Sequence, residues 1–186
     1  MTVAQLRGLS ERQEGHSACA ADRFTLRSPR LEDGPAVHAL IRSCPPLDQN
    51  SAYANLVQCA HFADTCVVAI QGEDLVGWVS GHRPPNDPKT IFVWQVAVAA
   101  QARGAGLGHW MLGELISRPA CRDVRWLKTT ITEDNRPSWS MFGRLAEQLG
   151  SPLRREPWLI EGRHLPDGHA TEHLVTIGPF AAPARR

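Results

Sequence analysis

The segment Gln101-Ala102-Arg103-Gly104-Ala105-Gly106-Leu107-Gly108 holds three glycines and an arginine. Residues of these types at this spacing bind anions when a strand leads in and a helix leads out. Glycine lets backbone N–H groups approach a phosphate oxygen with no Cβ in the way. The first-turn amides of a helix lack partners inside it and sit at the positive end of its dipole. Arg103 adds a charge-assisted donor. Spacing argues against two phosphate motifs. The dinucleotide fingerprint G-x-G-x-x-G needs its third glycine one position beyond Gly108, although Asp123 stands near the place of its acidic partner. The nucleoside-triphosphate loop needs a lysine after the glycines, and His109 stands there. The pattern that fits is Q/R-x-x-G-x-G/A, on Gln101, Gly104 and Gly106.

That turn must sit between an apolar strand, Ile91 to Val98, and a helix from His109 to about Ser117. Elsewhere the pattern predicts a short strand from Phe24 to Arg27 and a helix from Leu31 to Arg42, stopped by Cys44-Pro45-Pro46. Asp48-Gln49-Asn50-Ser51 offers caps for a second helix, Ala52 to Phe62. Strands over Thr65–Ile70 and Leu75–His82 flank a turn at Gln71–Asp74. Val124–Thr132 reads as a strand and Ser138–Leu149 as a helix ending at Gly150. Leu153–Ile160 reads as a strand broken by Pro157, and His169–Ile177 as the last strand. The order βααββ-β-α-β-α-β-β implies a mixed α/β (α+β) sheet with helices on its faces.

With 20 basic and 19 acidic residues the net charge is +1, and no basic run occurs. Nucleic acid and anionic membranes are therefore not the expected partners. No apolar stretch is long enough to span a bilayer. Residues 1–22 lack the apolar stretch of a secretory signal and are expected to form a flexible extension to a single domain over 23–186. Five cysteines without a C-x-x-C pair fit reduced thiols in a cytosol. Two groups have metal-ligand chemistry: Cys59, His61 and Cys66, and His164, His169 and His173. His169 and His173 share a face only on a helix, and their neighbours read as a strand. No metal is expected.

The glycine pattern behind V-A-V resembles the GNAT superfamily of N-acetyltransferases. The resemblance implies the GNAT fold, with splayed central strands and the pyrophosphate of acetyl-coenzyme A in the glycine loop. It also implies that the backbone of Val96 and Val98 holds pantetheine and the acetyl carbonyl. Asn135 would contact the pantetheine or thiol side. Longer segments narrow the likeness: Pro45-Pro46-Leu47-Asp48-Gln49-Asn50-Ser51-Ala52-Tyr53, Phe92-Val93-Trp94-Gln95-Val96-Ala97-Val98, Thr129-Thr130-Ile131-Thr132-Glu133-Asp134-Asn135 and Gly168-His169-Ala170-Thr171-Glu172. Over roughly residues 24–180 the chain resembles the L-2,4-diaminobutyrate acetyltransferases of bacterial ectoine synthesis. Ala170 stands where that family's H-D-T-E would have aspartate, with Asp167 nearby. The resemblance implies a cytoplasmic homodimer acting on a small diamino acid.

A primary amine near pKa 10.4 needs about 4.6 kcal/mol to lose its proton at pH 7. The site must supply orientation, a proton acceptor and a carbonyl-polarising donor. By resemblance, Asp48 grips a substrate ammonium, Tyr53 bonds substrate or lines the pocket, and Trp94 walls it. Alternation on the strand turns either Trp94 or Gln95 to the cleft. Glu172 binds the ammonium or receives a proton, and His169 touches substrate or orients Glu172. Phe142 stands where many relatives carry a thiolate-protonating tyrosine. The alternatives are a GNAT enzyme for another small amine and a non-catalytic acyl-coenzyme A sensor.

Overall fold

The computed structural model describes residues 23–181. The expected flexible extension, 1–22, lies outside them, as do 182–186. The elements are β1 (Thr25–Arg27), α1 (Gly34–Arg42), α2 (Ala52–His61), β2 (Val67–Gln71), β3 (Asp74–His82), β4 (Thr90–Val98), α3 (Leu107–Ser117), β5 (Trp126–Thr132), α4 (Arg136–Gln148), β6 (Leu153–Leu159) and β7 (Glu172–Ile177). The first expected helix divides: Leu31–Asp33 forms a 3-10 turn, and the α-helix starts at Gly34 with Pro35 in its first turn, where a missing N–H does no harm. Ser51 caps α2, its hydroxyl accepting from Ala54 N–H at 3.1 Å. Gly72, at φ +61°, makes the turn between β2 and β3.

One seven-stranded sheet results, in the order β1-β2-β3-β4-β5-β7-β6. Only β4 and β5 run parallel, joined through α3, and they pair only over Thr90–Phe92 against Trp126–Lys128. Beyond those residues the two strands part, which is the expected splay. Val76 to Gly81 are buried at consecutive positions, so both faces of the sheet's centre are covered. On the Gly77 face, α3 approaches until a Cβ on Gly77 would lie 2.8 Å from Met111 Sδ. On the opposite face Ser80 lines a cavity with Gln58 of α2.

Three strand expectations change. Pro157 does not break β6, because β6 is an edge strand and its ladder absorbs the proline with a register shift between Pro157 and Leu159. The last strand starts at Glu172. His169–Thr171 precede it, and Gly168, at φ +85°, sets the turn, with His169 N–H donating to Pro166 O. Between Ser80 and Gly81 the β3–β4 register shifts: Ser80 faces Gln95 and Gly81 faces Val93, so Trp94 is an extra residue on β4. Such a bulge interrupts alternation. Trp94 and Gln95 therefore both serve the α1–α2 face, where alternation alone would have turned one of them away.

The start of α1 is fixed to β1 by Arg27, which donates to both carboxylate oxygens of Asp33 at 2.6 and 2.8 Å. The Arg27 hydrogen bond, and after it the backbone N–H of Arg30, holds the Asp33 carboxyl below its ordinary value. A lowered folded-state pKa gives stability that is full above the unfolded value near 4 and is lost as pH falls through the folded one. Asp33→Asn is expected to lower unfolding free energy by about 1–2 kcal/mol at pH 7. The gap between variant and parent should close below pH 4 in urea titrations. An equal gap at pH 3 and pH 7 would refute the ion pair's role.

Candidate active site

The glycine turn has the conformation its spacing suggests. Gly104 and Gly106 lie at φ +79° and +73°, and a Cβ on either would meet nothing within 4 Å. The space in front of them is open. α3 begins at Leu107, with Gly106 in the capping position, earlier than the expected His109. The N–H of Trp110 bonds Gly106 O, which leaves the first-turn amides free of helical partners. Gly108 has a different job. A Cβ there would lie 2.8 Å from Met141 Sδ and 3.6 Å from Val96 Cγ1, so its small size lets α3 close on β4 and α4. Gln101 and Ala105 are exposed. Arg103 turns back: its Nε donates to Val98 O at 3.0 Å, and an Nη lies 3.7 Å from Cys44 Sγ.

The strand edge beside this turn also fits a ligand. Gln95 N–H donates to Ser80 Oγ and Ala99 N–H to Val76 O, both toward β3. Alternation then turns the amides of Val96 and Val98 to the opposite edge, where β5 has diverged. These free amides and the open glycines form a groove that suits pantetheine and pyrophosphate, so the residues present fit coenzyme A.

On the other face, Asp48, His169 and Glu172 come together from two loops and the first residue of β7. Their ligating atoms all lie within 4.8 Å of one another, and His169 Nε2 is 3.7 Å from Asp48 Oδ2. Two carboxylates beside an imidazole hold a positive charge, whether an ammonium or a metal ion. The Asp48 loop is tied to the bulge by Gln95, whose Nε2 donates to Asp48 O at 2.8 Å. Trp94, 48% exposed, lines a cavity of about 220 Å³ with Gln58, Phe62, Ser80, Gly81 and His82. Its aromatic wall extends through Phe62, His82, Phe92 and Trp158, with successive ring centroids 6.3, 5.4 and 6.3 Å apart. Burial holds the His82 imidazole below its ordinary pKa.

A profile of the Acetyltransferase (GNAT) family matches residues 35–146. L-2,4-diaminobutyric acid acetyltransferase of Methylotuvimicrobium alcaliphilum is 48% identical over 159 residues, 86% of this chain and 92% of that protein. The enzyme of the same name from Halomonas elongata is 44% identical over 167 residues, 89% of this chain and 85% of that protein. Among solved structures, the diaminobutyrate acetyltransferase of Paenibacillus lautus, in complex with its substrate L-2,4-diaminobutyric acid and coenzyme A, superposes with a TM-score of 0.81. It is 37% identical and covers 87% of this chain and 98% of its own. The chain belongs to the GNAT family, among its diaminobutyrate acetyltransferases.

Two further residues expected in this GNAT site are placed less simply. Tyr53, in the first turn of α2, is 75% exposed, and no hydrogen bond among the described residues ties it to the trio. Asn135 caps α4, its Oδ1 accepting from Ser138 N–H at 3.2 Å, so only its Nδ2 remains to meet a ligand. Phe142 is buried, and the neighbouring Met141 turns its sulfur toward Gly108 of α3. Asp167 does not replace a carboxylate at Ala170, because it turns toward Gly162, 3.0 Å from where a Cβ would be.

The three histidines of the second group go to different partners. His164 Nδ1 accepts from Ile160 N–H, His169 meets Asp48, and His173 pairs with Glu133 at 3.6 Å. Burial pushes the Cys59 and Cys66 thiols up to about 11 and about 12, so both stay protonated. A larger cavity, about 350 Å³, lies at the C-terminal end of α3 beside Arg118. That guanidinium is already held by Ser28, Ala63 and Cys66, so it works as a brace between elements. Sequence reasoning missed Gln58, His82 and the anchoring role of Gln95. A glutamine on a helix and a histidine closing a strand carry no local signature.

Proposed function

We propose that the enzyme transfers the acetyl group of acetyl-coenzyme A to the 4-amino group of L-2,4-diaminobutyrate, giving N4-acetyl-L-2,4-diaminobutyrate for ectoine synthesis. The observation that carries this reading is the cation-holding trio Asp48–His169–Glu172 beside the Trp94 cavity. The glycine groove lies along the same strand, β4. The names of the relatives and the substrate bound by the Paenibacillus lautus enzyme support it. When bound, acetyl-coenzyme A supplies an activated thioester carbonyl. The chain's own residues then have separable tasks. The first-turn amides of α3, with Gly104 and Gly106, receive the pyrophosphate. The Val96 and Val98 amides align pantetheine and polarise the carbonyl. Asp48 and Glu172 grip the substrate's α-ammonium, His169 orients them, and Trp94 and Tyr53 flank the carbon chain. We further propose a homodimer in the bacterial cytoplasm, which sedimentation of the purified protein would test.

Competition kinetics with diaminobutyrate, ornithine, lysine and spermidine test the substrate. The expected result is a preference for diaminobutyrate of at least about tenfold, since one extra methylene in a fitted pocket is worth ~1–3 kcal/mol. The product's acetyl group should sit on N4 by NMR. Equal rates on ornithine or spermidine would favour a GNAT enzyme for another amine. Coenzyme A binding without turnover would favour a sensor.

A further inference from the structure

The two amines of a diamino acid need opposite surroundings. The amine used for recognition stays charged and wants carboxylates. The amine that attacks must be neutral, and a charged neighbour of opposite sign would hold its proton on. The trio meets the first need. The Trp94 cavity meets the second: its polar lining, Gln58, Ser80 and His82, carries no carboxylate, and its walls are aromatic. An uncharged, partly desolvated site lowers the pKa of an ammonium placed in it.

Among the described residues, His82 is the one titratable group lining that cavity. It closes β3 opposite Phe92, next to the bulge where β4 begins to part from β5. Its ring is held edge-on by Phe62 and tilted against Phe92. Gln58 faces it from α2, Phe62 from the residue that follows α2, Phe92 and Trp94 from β4, and Ser80 from its own strand, all without charge. No hydrogen bond or ion pair among the described residues uses its ring nitrogens.

We propose that His82 takes the proton that the 4-amino group gives up as it attacks the thioester. The nitrogen–carbon bond forms, and the carbon–sulfur bond breaks with its electron pair leaving on sulfur. The amine proton passes to a ring nitrogen of His82, directly or through one water. The imidazolium then returns it to the thiolate or to solvent. Burial is the one cause that lowers this imidazole's pKa, so at neutral pH the ring arrives unprotonated and ready to accept. This role rests on the substrate reading above, and it leaves Glu172 to recognition.

His82→Gln tests it, with His82→Phe as the variant that keeps the ring packed between Phe62 and Phe92. Both should keep the parent's coenzyme A affinity and melting temperature. Both should lose about 10²-fold in kcat for diaminobutyrate, the lower range for losing a positioned base. The deficit should shrink as pH rises, because hydroxide and buffer bases then take the proton that the attacking nitrogen loses. Independently of turnover, the His82 ring resonance, assigned by its loss in His82→Gln, should titrate below the ordinary imidazole value. It should also shift when diaminobutyrate joins the coenzyme A complex. A folded variant within threefold of the parent at pH 7, a pH-independent deficit, or a resonance that ignores diaminobutyrate would overturn the role while leaving the substrate reading intact. A parent enzyme that does not acetylate diaminobutyrate would overturn both.

Discussion

Glu172→Ala lowers kcat/KM for diaminobutyrate about 10³-fold and leaves the KM for acetyl-coenzyme A within about twofold. Glu172 opens β7 at the edge of the trio and is partly buried, so its charge acts where water is already thinned. Truncating one partner of a hydrogen-bonded, desolvated charge pair removes about 2–5 kcal/mol. With the substrate's α-ammonium as that partner, about 4 kcal/mol corresponds to three powers of ten. Asp48 is the weaker member. Its side chain is 73% exposed and screened by solvent, so Asp48→Asn should show a loss of about tenfold, falling further as salt is raised. Glu172→Asp keeps the charge and moves it back by one methylene, so it should recover part of the loss. Initial rates with each substrate varied against saturating partner provide the check. A rise in the acetyl-coenzyme A KM matching the diaminobutyrate loss would show that Glu172 shapes the fold of the site instead of holding the acceptor.

What could be read ahead of the structure follows the range of the interactions involved. The glycine loop was legible because strand, turn and helix are neighbours in the chain, and positive φ at Gly104 and Gly106 is a local matter. The splayed α/β sheet followed from element order together with the resemblance. The bulge at Trp94 was not legible, since it exists only relative to Ser80 and Gly81 on β3. Strict alternation divided Trp94 from Gln95, and the register put both to work on one face. His169–Thr171 carries strand-like residues, yet Gly168 turns the chain there and β7 begins later. The turn matters chemically, because it brings His169 back to Asp48. Asp48 reads locally as one of several helix caps and Glu172 has no local pattern, so only the resemblance singled them out for substrate. Neither the local pattern nor the resemblance gave His82 or Gln58 a role. Their meaning comes from the cavity they share, a property of packing between α2 and β3.

Gly106→Val raises the KM for acetyl-coenzyme A by about 150-fold and leaves the protein folded. Gly106 sits at φ +73°, where an L-residue is strained by about 1–2 kcal/mol and a β-branched one sits worst. That strain falls on the turn itself. The added side chain meets no protein atom within 4 Å of its Cβ, so the core has nothing to rearrange. It does stand in the space a phosphate must enter. Losing one or two dipole-assisted amide contacts removes about 1–2 kcal/mol more. The free turn relieves that strain by leaving this conformation, and binding must restore it, so the sum, about 3 kcal/mol, is a factor of about 150 in affinity. Gly108→Val makes the contrast that gives the test its force. There the Cβ would press into Met141 Sδ at 2.8 Å and crowd Val96, so the expected damage is to stability, with a lowered melting temperature. Calorimetric titration with coenzyme A and thermal melts of both variants separate the two effects. If Gly106→Val bound coenzyme A as the parent does, the phosphate would have to dock elsewhere, and the glycines of this turn would serve only to start α3.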